Sequence, residues 1–228
     1  MVNLNFDWDR RTNMQWRLAA FDFDGSLTQD EMIVRLAAVK GVEEEVASIT
    51  ERAMAGELAY GESLRQRVAL IAGLDFDSAM DAIDAIELFP GARTTIESIR
   101  AVDMHVAILT GGFSRGVAHL LERDGIEVDT VIANELVVED GVFTGEVSGP
   151  LVDTDKDVVL DELVDSLGWD PSEVVAIGDG ANDIPMLEYA GLAVGFRPKP
   201  AVRPYCDIEI DTLEGLLSAL DIAPRGPA

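Results

Sequence analysis

Two aspartates at the end of an apolar stretch carry the clearest chemistry in this sequence. Leu18–Phe21 is apolar, as a buried parallel strand would be, and Asp22 and Asp24 follow it. Side chains two residues apart share one face of a strand, so both carboxylates can reach one point. Because two negative charges this close repel each other, they need a cation or a proton between them. Mg²⁺ is the expected cation because it prefers oxygen ligands. Asp22 could then attack phosphorus as a nucleophile, with Asp24 as general acid and then general base. The alternative is a strand that ends in a solvated acidic turn.

Two further features fit a site that binds phosphate. The apolar pair Ile108–Leu109 is followed by the run Thr110–Gly112. Backbone N–H groups there, ahead of an expected helix, could cradle a phosphate group. Lys156 is one of only three lysines in the chain, and it comes just before an apolar run with helical spacing. Its ammonium group would offset the negative charge of a phosphoryl group.

A third apolar strand, Val174–Ile177, also ends in glycine and carboxylates, and residues 178–183 read G-D-G-A-N-D. These three strand ends and the lysine, in this order, resemble the haloacid dehalogenase superfamily of phosphatases. The superfamily motifs are D-x-D-x-[TV], a Ser or Thr at the second strand end, a Lys, and G-D-x-x-x-D. Each motif has a counterpart here, with Ser26 in the Thr/Val position.

The resemblance implies a metal centre and a phosphate site built from these motifs. Mg²⁺ would be held by Asp22, the backbone carbonyl of Asp24, and Asp179. Asp183 would lie behind these ligands and orient water or Lys156. The groups that would hold the phosphoryl oxygens or offset their charge are Thr110, Gly111, Asn182 and Lys156.

The order of the predicted elements indicates an α/β fold with a Rossmann-like, doubly wound parallel sheet. Four runs with helical spacing lie between the first two strand motifs, where a single connection would be expected. They are interpreted as a small helical cap over residues 30–87, inserted into a core formed by residues 15–29 and 88–222. Residues 1–14 are predicted to be a polar N-terminal extension without the apolar centre of a signal peptide.

Three local expectations can be compared directly with a structure. The third cap helix is expected over Ser63–Ile71, and the second strand over His105–Leu109. A hairpin is expected around Asp140-Gly141, because this dipeptide favours tight two-residue turns.

Within the superfamily, residues 18–220 resemble the phosphoserine phosphatases. In that family a glutamate nine residues after the nucleophile binds the substrate ammonium group, and Glu31 occupies this position. The second arginine of S-L-R-x-R binds the substrate carboxylate, and Arg67 matches it. Met54 and Tyr60 match positions that line the substrate pocket. The implied reaction is dephosphorylation of L-phosphoserine to L-serine, the last step of serine biosynthesis.

The chemistry of the substrate agrees with this assignment. Phosphoserine carries a phosphate, an ammonium and a carboxylate group, and the planar fork of an arginine suits a carboxylate better than a lysine does. Simpler interpretations exist for both residues. Glu31 could be an acid at a helix N-terminus, stabilised by the helix dipole, and Arg67 could be a solvated residue on a surface helix.

Composition excludes some classes of partner. The chain has 43 acidic and 17 basic residues, which gives a net charge of −26. This charge argues against nucleic acid or an anionic membrane surface as partners. Acidic residues spread along the whole chain resemble the surfaces of proteins from halophiles that accumulate salt, and a halophilic archaeal source is expected.

A single cysteine, Cys206, allows no internal disulfide, and no segment is long and apolar enough for a membrane span, so a cytoplasmic location is expected.

Other functions remain open at this point. The same mechanism could act on another small phosphomonoester, or transfer the phosphoryl group to an acceptor alcohol. A receiver-like signalling domain would hold a long-lived aspartyl-phosphate, but Asp24 and the inserted cap argue against it. A binding protein without catalysis would leave the set of motif residues unexplained.

Overall fold

A computed structural model describes residues 16–54 and 57–225, with the backbone alone described at Met54. The expectation for residues 1–14 therefore lies outside the described part of the chain. Within these two ranges, no helix combines the length and the apolar character needed to cross a membrane.

The centre of the fold is a seven-stranded sheet with the order β4-β3-β2-β1-β5-β6-β7. All neighbouring strands are parallel except β3 and β4, which form an antiparallel hairpin. This arrangement confirms the predicted α/β fold. The strands are β1 (Leu18–Phe21), β2 (His105–Phe113), β3 (Thr130–Glu139), β4 (Val142–Ser148), β5 (Val174–Gly178), β6 (Leu192–Phe196) and β7 (Ile208–Ile210).

Strand β1 lies in the middle of this sheet, between β2 and β5. Its side chains alternate between two apolar clusters, with Leu18 and Ala20 in one and Ala19 and Phe21 in the other. Because both faces of the strand are covered, all four of its residues are fully buried. The carboxyl end of β1 therefore has a fixed position from which the following aspartates project.

Helices cover the sheet and also form one insertion. The helices that alternate with strands are α5 (Ala92–Arg100), α6 (Ser114–Arg123), α7 (Lys156–Leu167), α8 (Ile184–Tyr189) and α9 (Leu213–Ala219). Four helices follow one another between β1 and α5, and we call them the four-helix insertion. They are α1 (Met32–Lys40), α2 (Glu43–Met54), α3 (Tyr60–Leu70) and α4 (Phe76–Asp84).

Backbone hydrogen bonds tie the four-helix insertion to the β3–β4 hairpin. The N–H of Gly73 donates to the carbonyl of Phe143 at 2.7 Å, and the N–H of Phe143 donates to the carbonyl of Leu74 at 2.9 Å. The N–H of Phe76 donates to the carbonyl of Gly141 at 2.9 Å. The segment between α3 and α4 thus extends the sheet by a short pairing, which holds α3 at the edge of the sheet.

The local expectations were met in part. The hairpin at Asp140-Gly141 is confirmed, with φ angles of 49° and 80° that suit a type I′ turn. Strand β2 continues to Phe113 rather than ending at Leu109, because a register shift lets Phe113 pair with Asn134. Helix α3 begins at Tyr60, three residues before the expected start at Ser63. This earlier start places Tyr60 on the same helix as Arg67.

Candidate active site

The carboxyl ends of β1, β2 and β5 meet beside helix α3 and enclose a cavity of about 470 Å³. Adjacent parallel strands end at the same edge of a sheet, so residues distant in sequence converge there. The sequence-predicted residues that line this cavity are Asp22, Asp24, Glu31, Tyr60, Arg67, Thr110, Gly111, Lys156, Asp179 and Asn182. Met54 ends helix α2, and its side chain lies outside the described part of the structure.

Three carboxylates form the acidic centre of the cavity. One oxygen from each of Asp22, Asp179 and Asp183 lies within 4.8 Å of the other two, and all three residues are buried. Burial raises the pKa of Asp22, and the neighbouring carboxylate of Asp183 adds to this effect. Burial also raises the pKa of Asp179. Carboxylates this close are stable in their ionised form only beside cations, and hard oxygen donors of this kind match the ligand preference of Mg²⁺.

Lys156 is the buried cation of this centre. Its Nζ donates to Asp22 Oδ1 at 2.6 Å and to Asp183 Oδ1 at 2.7 Å, and the side chain is 4 % exposed. Burial by itself lowers the pKa of a lysine, but here the carboxylates of Asp183 and Asp22 outweigh it and raise the pKa. Lys156 is therefore charged and is held next to the Asp22 oxygen.

Asp183 binds the loop around it with both carboxylate oxygens. Its Oδ2 accepts hydrogen bonds from the backbone N–H groups of Asp179 at 3.0 Å and Gly180 at 2.9 Å. Its Oδ1 accepts from Lys156 and, at 3.4 Å, from Asn182 Nδ2. Because both oxygens already have donors, Asp183 is suited to fixing Asp179 and Lys156 in position.

Asp24 has the properties of a proton-transfer group. Its Oδ1 is buried and has no hydrogen-bond partner among the described residues. Burial, with a contribution from the carboxylate of Glu31, raises the pKa of Asp24 to about 7. A carboxyl group with this pKa can both give and take a proton near neutral pH.

The turn after Asp24 requires a glycine for two reasons. Gly25 has φ +85°, a conformation that other residues rarely adopt. A Cβ atom at this position would also lie 3.0 Å from Asp179 Oδ1. The next residue, Ser26, donates its hydroxyl to the same Asp179 oxygen at 3.3 Å. The β1 turn and the β5 loop are thereby held together.

The end of β2 presents donors to the cavity. Thr110 Oγ1 accepts a hydrogen bond from the N–H of Gly112 at 2.9 Å, so its own proton is free to be donated. At Gly111, a Cβ atom would lie 1.7 Å from the hydroxyl oxygen of Tyr60. A side chain at position 111 would therefore displace the Tyr60 ring, and glycine permits this close approach.

The opposite wall of the cavity carries Glu31 and Arg67. Glu31 is half-buried at the N-terminus of α1, and its side chain makes no capping hydrogen bond. Arg67 is only 7 % exposed, so the interpretation as a solvated surface residue is wrong. Its Nε donates to the carbonyl of Ser63 at 3.3 Å, and it makes no ion pair with any described residue. A buried guanidinium without a protein anion is suited to binding an anionic group of a ligand.

Sequence reasoning did not assign a role to Lys199, which also lines the cavity. Its Nζ lies 3.0 Å from Asp179 Oδ2, and its backbone N–H donates to the carbonyl of Asp179. The available signal was its rarity, since it is one of three lysines, and its place just after β6 at the same edge of the sheet.

Comparison with known proteins gave matches over most of the chain. Residues 19–188 match the model of the haloacid dehalogenase-like hydrolase family. The chain is 47% identical over 204 residues to a phosphoserine phosphatase from Halobacterium salinarum, an alignment that covers 90% of this chain and 97% of that protein. A solved substrate-bound phosphoserine phosphatase complex is similar with a TM-score of 0.84 and 37% identity, over 90% of this chain and 99% of the other.

A structure of a phospho-aspartyl intermediate analogue of phosphoserine phosphatase is similar to the same extent. Its TM-score is 0.83 at 37% identity, and the coverage is again 90% of this chain and 99% of the other. The similarity thus extends over both the sheet and the four-helix insertion.

Proposed function

This chain belongs to the haloacid dehalogenase-like hydrolase family, and we propose that it hydrolyses L-phosphoserine to L-serine and phosphate. The observation that carries this proposal is one cavity that holds three kinds of group. Asp22 and Lys156 lie at the phosphate end, while Glu31 and Arg67, which forms no ion pair within the described ranges, line the same cavity. These groups complement the phosphate, ammonium and carboxylate of phosphoserine. Relatives named as phosphoserine phosphatases support the same substrate.

The acidic centre fits Mg²⁺ as the cofactor. Asp22, the backbone carbonyl of Asp24, and Asp179 would hold the ion, with Asp183 behind them. When bound, Mg²⁺ would neutralise the clustered carboxylates and polarise a phosphoryl oxygen. The physical reason to expect a cation there is the clustering of three buried carboxylates, one oxygen of each lying within 4.8 Å of the other two.

The reaction proceeds in two steps on the two aspartates. A carboxylate oxygen of Asp22 attacks phosphorus, and the bond between phosphorus and the serine oxygen breaks. Asp24 gives its proton to that oxygen, so serine leaves as a neutral alcohol. Asp24 then takes a proton from a water molecule that attacks the aspartyl-phosphate, which releases phosphate and restores Asp22. The first step leaves Asp22 phosphorylated and Asp24 deprotonated, and the second step returns both aspartates to their starting states.

The other residues position the phosphoryl group and select the substrate. The Thr110 hydroxyl and the Gly111 N–H would donate to phosphoryl oxygens, and Lys156 would offset the charge of the transition state. Asn182 would donate to the same group. Glu31 would bind the ammonium group, and Met54 and Tyr60 would line the pocket on that side. The insertion would act as a cap (residues 30–87) on the core (residues 15–29 and 88–222). This cap would exclude water from the cavity during the reaction.

A panel of phosphomonoesters tests this function. Phosphate release would be measured with Mg²⁺ in molar KCl, because a charge of −26 repels itself at low salt. We expect a clear preference for L-phosphoserine. Equal activity on sugar phosphates would support the Asp22 mechanism but contradict phosphoserine as the specific substrate. Faster transfer of the phosphoryl group to an added alcohol than to water would indicate a phosphotransferase. The cytoplasmic location stays a prediction.

Arg67→Ala should lower kcat/KM for phosphoserine by about 10²-fold, since a charge-assisted hydrogen bond to a carboxylate contributes about 1.5–3 kcal/mol. O-Phosphoethanolamine, which lacks the carboxylate, should lose much less. The matched control is Arg115→Ala, because Arg115 is an exposed arginine in α6 outside the cavity lining. Equal losses on both esters in Arg67→Ala would show that Arg67 has a structural role only.

Mg²⁺ should raise the thermal midpoint of the protein at constant ionic strength. At a concentration of about 100 Kd the gain is ~2.7 kcal/mol, and for a chain of this size that corresponds to ~5–10 °C. Asp179→Asn should remove most of the increase, whereas Asp165→Asn, an exposed aspartate of α7, should keep it. Differential scanning fluorimetry with and without EDTA measures this shift. An unchanged Mg²⁺ response in Asp179→Asn would place the metal elsewhere.

A further inference from the structure

One face of helix α3 supplies four of the residues in the cavity wall opposite the strand ends. Tyr60, Ser63, Leu64 and Arg67 follow the spacing i, i+3, i+4, i+7 and all line the cavity. Two of these residues already have a proposed role, with Tyr60 against Gly111 and Arg67 at the carboxylate. Ser63 lies between them along the helix, about 6 Å from Arg67 in axial rise.

The hydroxyl of Ser63 is buried and has no hydrogen-bond partner among the described residues. The residue is 1 % exposed, and its backbone N–H donates to the carbonyl of Ala59 as helix geometry requires. A serine inside a helix commonly donates its hydroxyl to the carbonyl four residues earlier, but the Ser63 hydroxyl does not. Ser63 is one of the residues that line the cavity, so this hydroxyl without a partner among the described residues lies next to the space that a ligand would occupy.

The surroundings of Ser63 define the ligand group it can meet. Its own carbonyl accepts from Arg67 Nε at 3.3 Å, so the serine and the guanidinium belong to one turn of the helix. Arg67 brings to this wall a positive charge that forms no ion pair with the described residues, and Leu64 beside it is apolar. An anionic oxygen is therefore the group that this part of the wall favours, and a hydroxyl donates well to such an acceptor.

We infer that the Ser63 hydroxyl is a second donor to the substrate carboxylate, beside Arg67, and that it contributes to substrate specificity. This inference rests on the proposed function. It assigns a partner to a buried hydroxyl that has none among the described residues, and it makes the carboxylate end of the cavity a two-residue site on α3. Ser63 does not contact the reacting phosphorus, so its role is in binding.

Ser63→Ala tests this role through a comparison of three esters. L-Phosphoserine has both groups, O-phosphoethanolamine lacks the carboxylate, and 3-phosphoglycerate has a hydroxyl in place of the ammonium. We expect kcat/KM to fall roughly tenfold for phosphoserine and 3-phosphoglycerate, mainly through KM, as the loss of one hydrogen bond to a charged group implies. Phosphoethanolamine should change less than about twofold. The loss in kcat/KM is thus expected for the two esters that carry a carboxylate, whether or not they carry an ammonium group.

Thr95→Val is the matched control. Thr95 in α5 also has a buried hydroxyl without a partner among the described residues, but it lies outside the cavity lining. Its removal should leave all three kinetic constants unchanged. The thermal midpoint of Ser63→Ala should not fall, because the lost hydroxyl has no hydrogen-bond partner in the part of the chain that the structure describes. If Ser63→Ala does not fold, Ser63→Cys, which keeps a weak donor of similar size, should show a smaller loss of the same pattern.

The outcomes separate this inference from the function on which it rests. If the unmodified enzyme does not prefer phosphoserine over phosphoethanolamine, the proposed function fails and the inference falls with it. If that preference holds and Ser63→Ala lowers activity equally on all three esters, or on none, only the role of Ser63 is overturned. A loss confined to phosphoserine and phosphoethanolamine would assign the hydroxyl to the ammonium group and would also overturn it.

Discussion

Replacing Asp22 with asparagine should abolish phosphate release from phosphoserine, with a loss of at least about 10³-fold, as expected when a nucleophile is removed. The amide has nearly the shape of the carboxylate but cannot form the aspartyl-phosphate. Asp22 directly follows the central strand, and its Oδ1 lies 2.6 Å from Lys156 Nζ. Steady-state phosphate release and mass spectrometry of the acid-quenched enzyme measure the effect.

The fold should survive this substitution. Lys156 keeps its second partner, Asp183 Oδ1 at 2.7 Å, so no buried charge is left without a counter-ion. Burial raises the pKa of Asp22, which means that its ionised form is disfavoured in the metal-free protein, and a neutral amide removes that cost. The thermal midpoint in EDTA should therefore stay the same or rise. Asp165→Asn is the matched control and should retain full activity, and substantial turnover by Asp22→Asn would exclude Asp22 as the nucleophile.

The parts of this site that depend on strand ends could be predicted from the sequence. Leu18–Phe21 and Val174–Ile177 are continuously apolar because both faces of a central parallel strand are covered, and this pattern marks each strand and the point where it stops. Asp22 directly follows the first stretch, and Asp179 follows the second after Gly178, so parallel pairing alone brings them to one edge of the sheet. The fold class followed from the same alternation of strands and helices.

The wall formed by α3 could be predicted only in part. The resemblance to a known family indicated Arg67 and Tyr60, but the helical period alone does not tell a buried polar residue from a solvated one. Whether Ser63 has a partner depends on what packs against α3, and that is set by the long-range backbone pairing of Gly73 and Phe76 with the β3–β4 hairpin. Such contacts carry no local sequence signal. The extension of β2 to Phe113 was missed for the same reason, since it depends on pairing with β3.

The net charge of the chain adds a further constraint on the site. Acidic residues exceed basic ones by 26, yet the cavity contains Lys156, Arg67 and Lys199. Lys156 and Arg67 are buried. Lys156 and Lys199 each contact a carboxylate of the acidic centre. An anionic substrate must therefore approach a repulsive surface and enter a site where cations are concentrated. Salt screens the surface far more than the buried groups, which is consistent with assays at high salt.

Asp24→Asn should separate the two steps of the reaction. With phosphoserine, the leaving alcohol needs a proton, and we expect kcat to fall by about 10²–10⁴-fold when the general acid is removed. With p-nitrophenyl phosphate, the leaving group is stable as an anion, so attack by Asp22 should continue. Water activation in the second step also needs Asp24, and the aspartyl-phosphate should accumulate. The expected result is a burst of p-nitrophenolate equal in amount to the enzyme, followed by a slow steady rate.

The burial of the Asp24 carboxyl oxygen Oδ1 is the physical basis for this result. Its Oδ1 has no partner among the described residues, and burial raises its pKa to about 7, so the group holds a proton for part of the time at neutral pH and can pass it to a leaving oxygen. Stopped-flow absorbance follows the burst, and acid-quench mass spectrometry detects the phosphorylated enzyme. Asp22→Asn should show neither signal, which ties the burst to the nucleophile. A uniform loss on both esters without a burst would mean that Asp24 supports the metal site or the turn rather than moving protons.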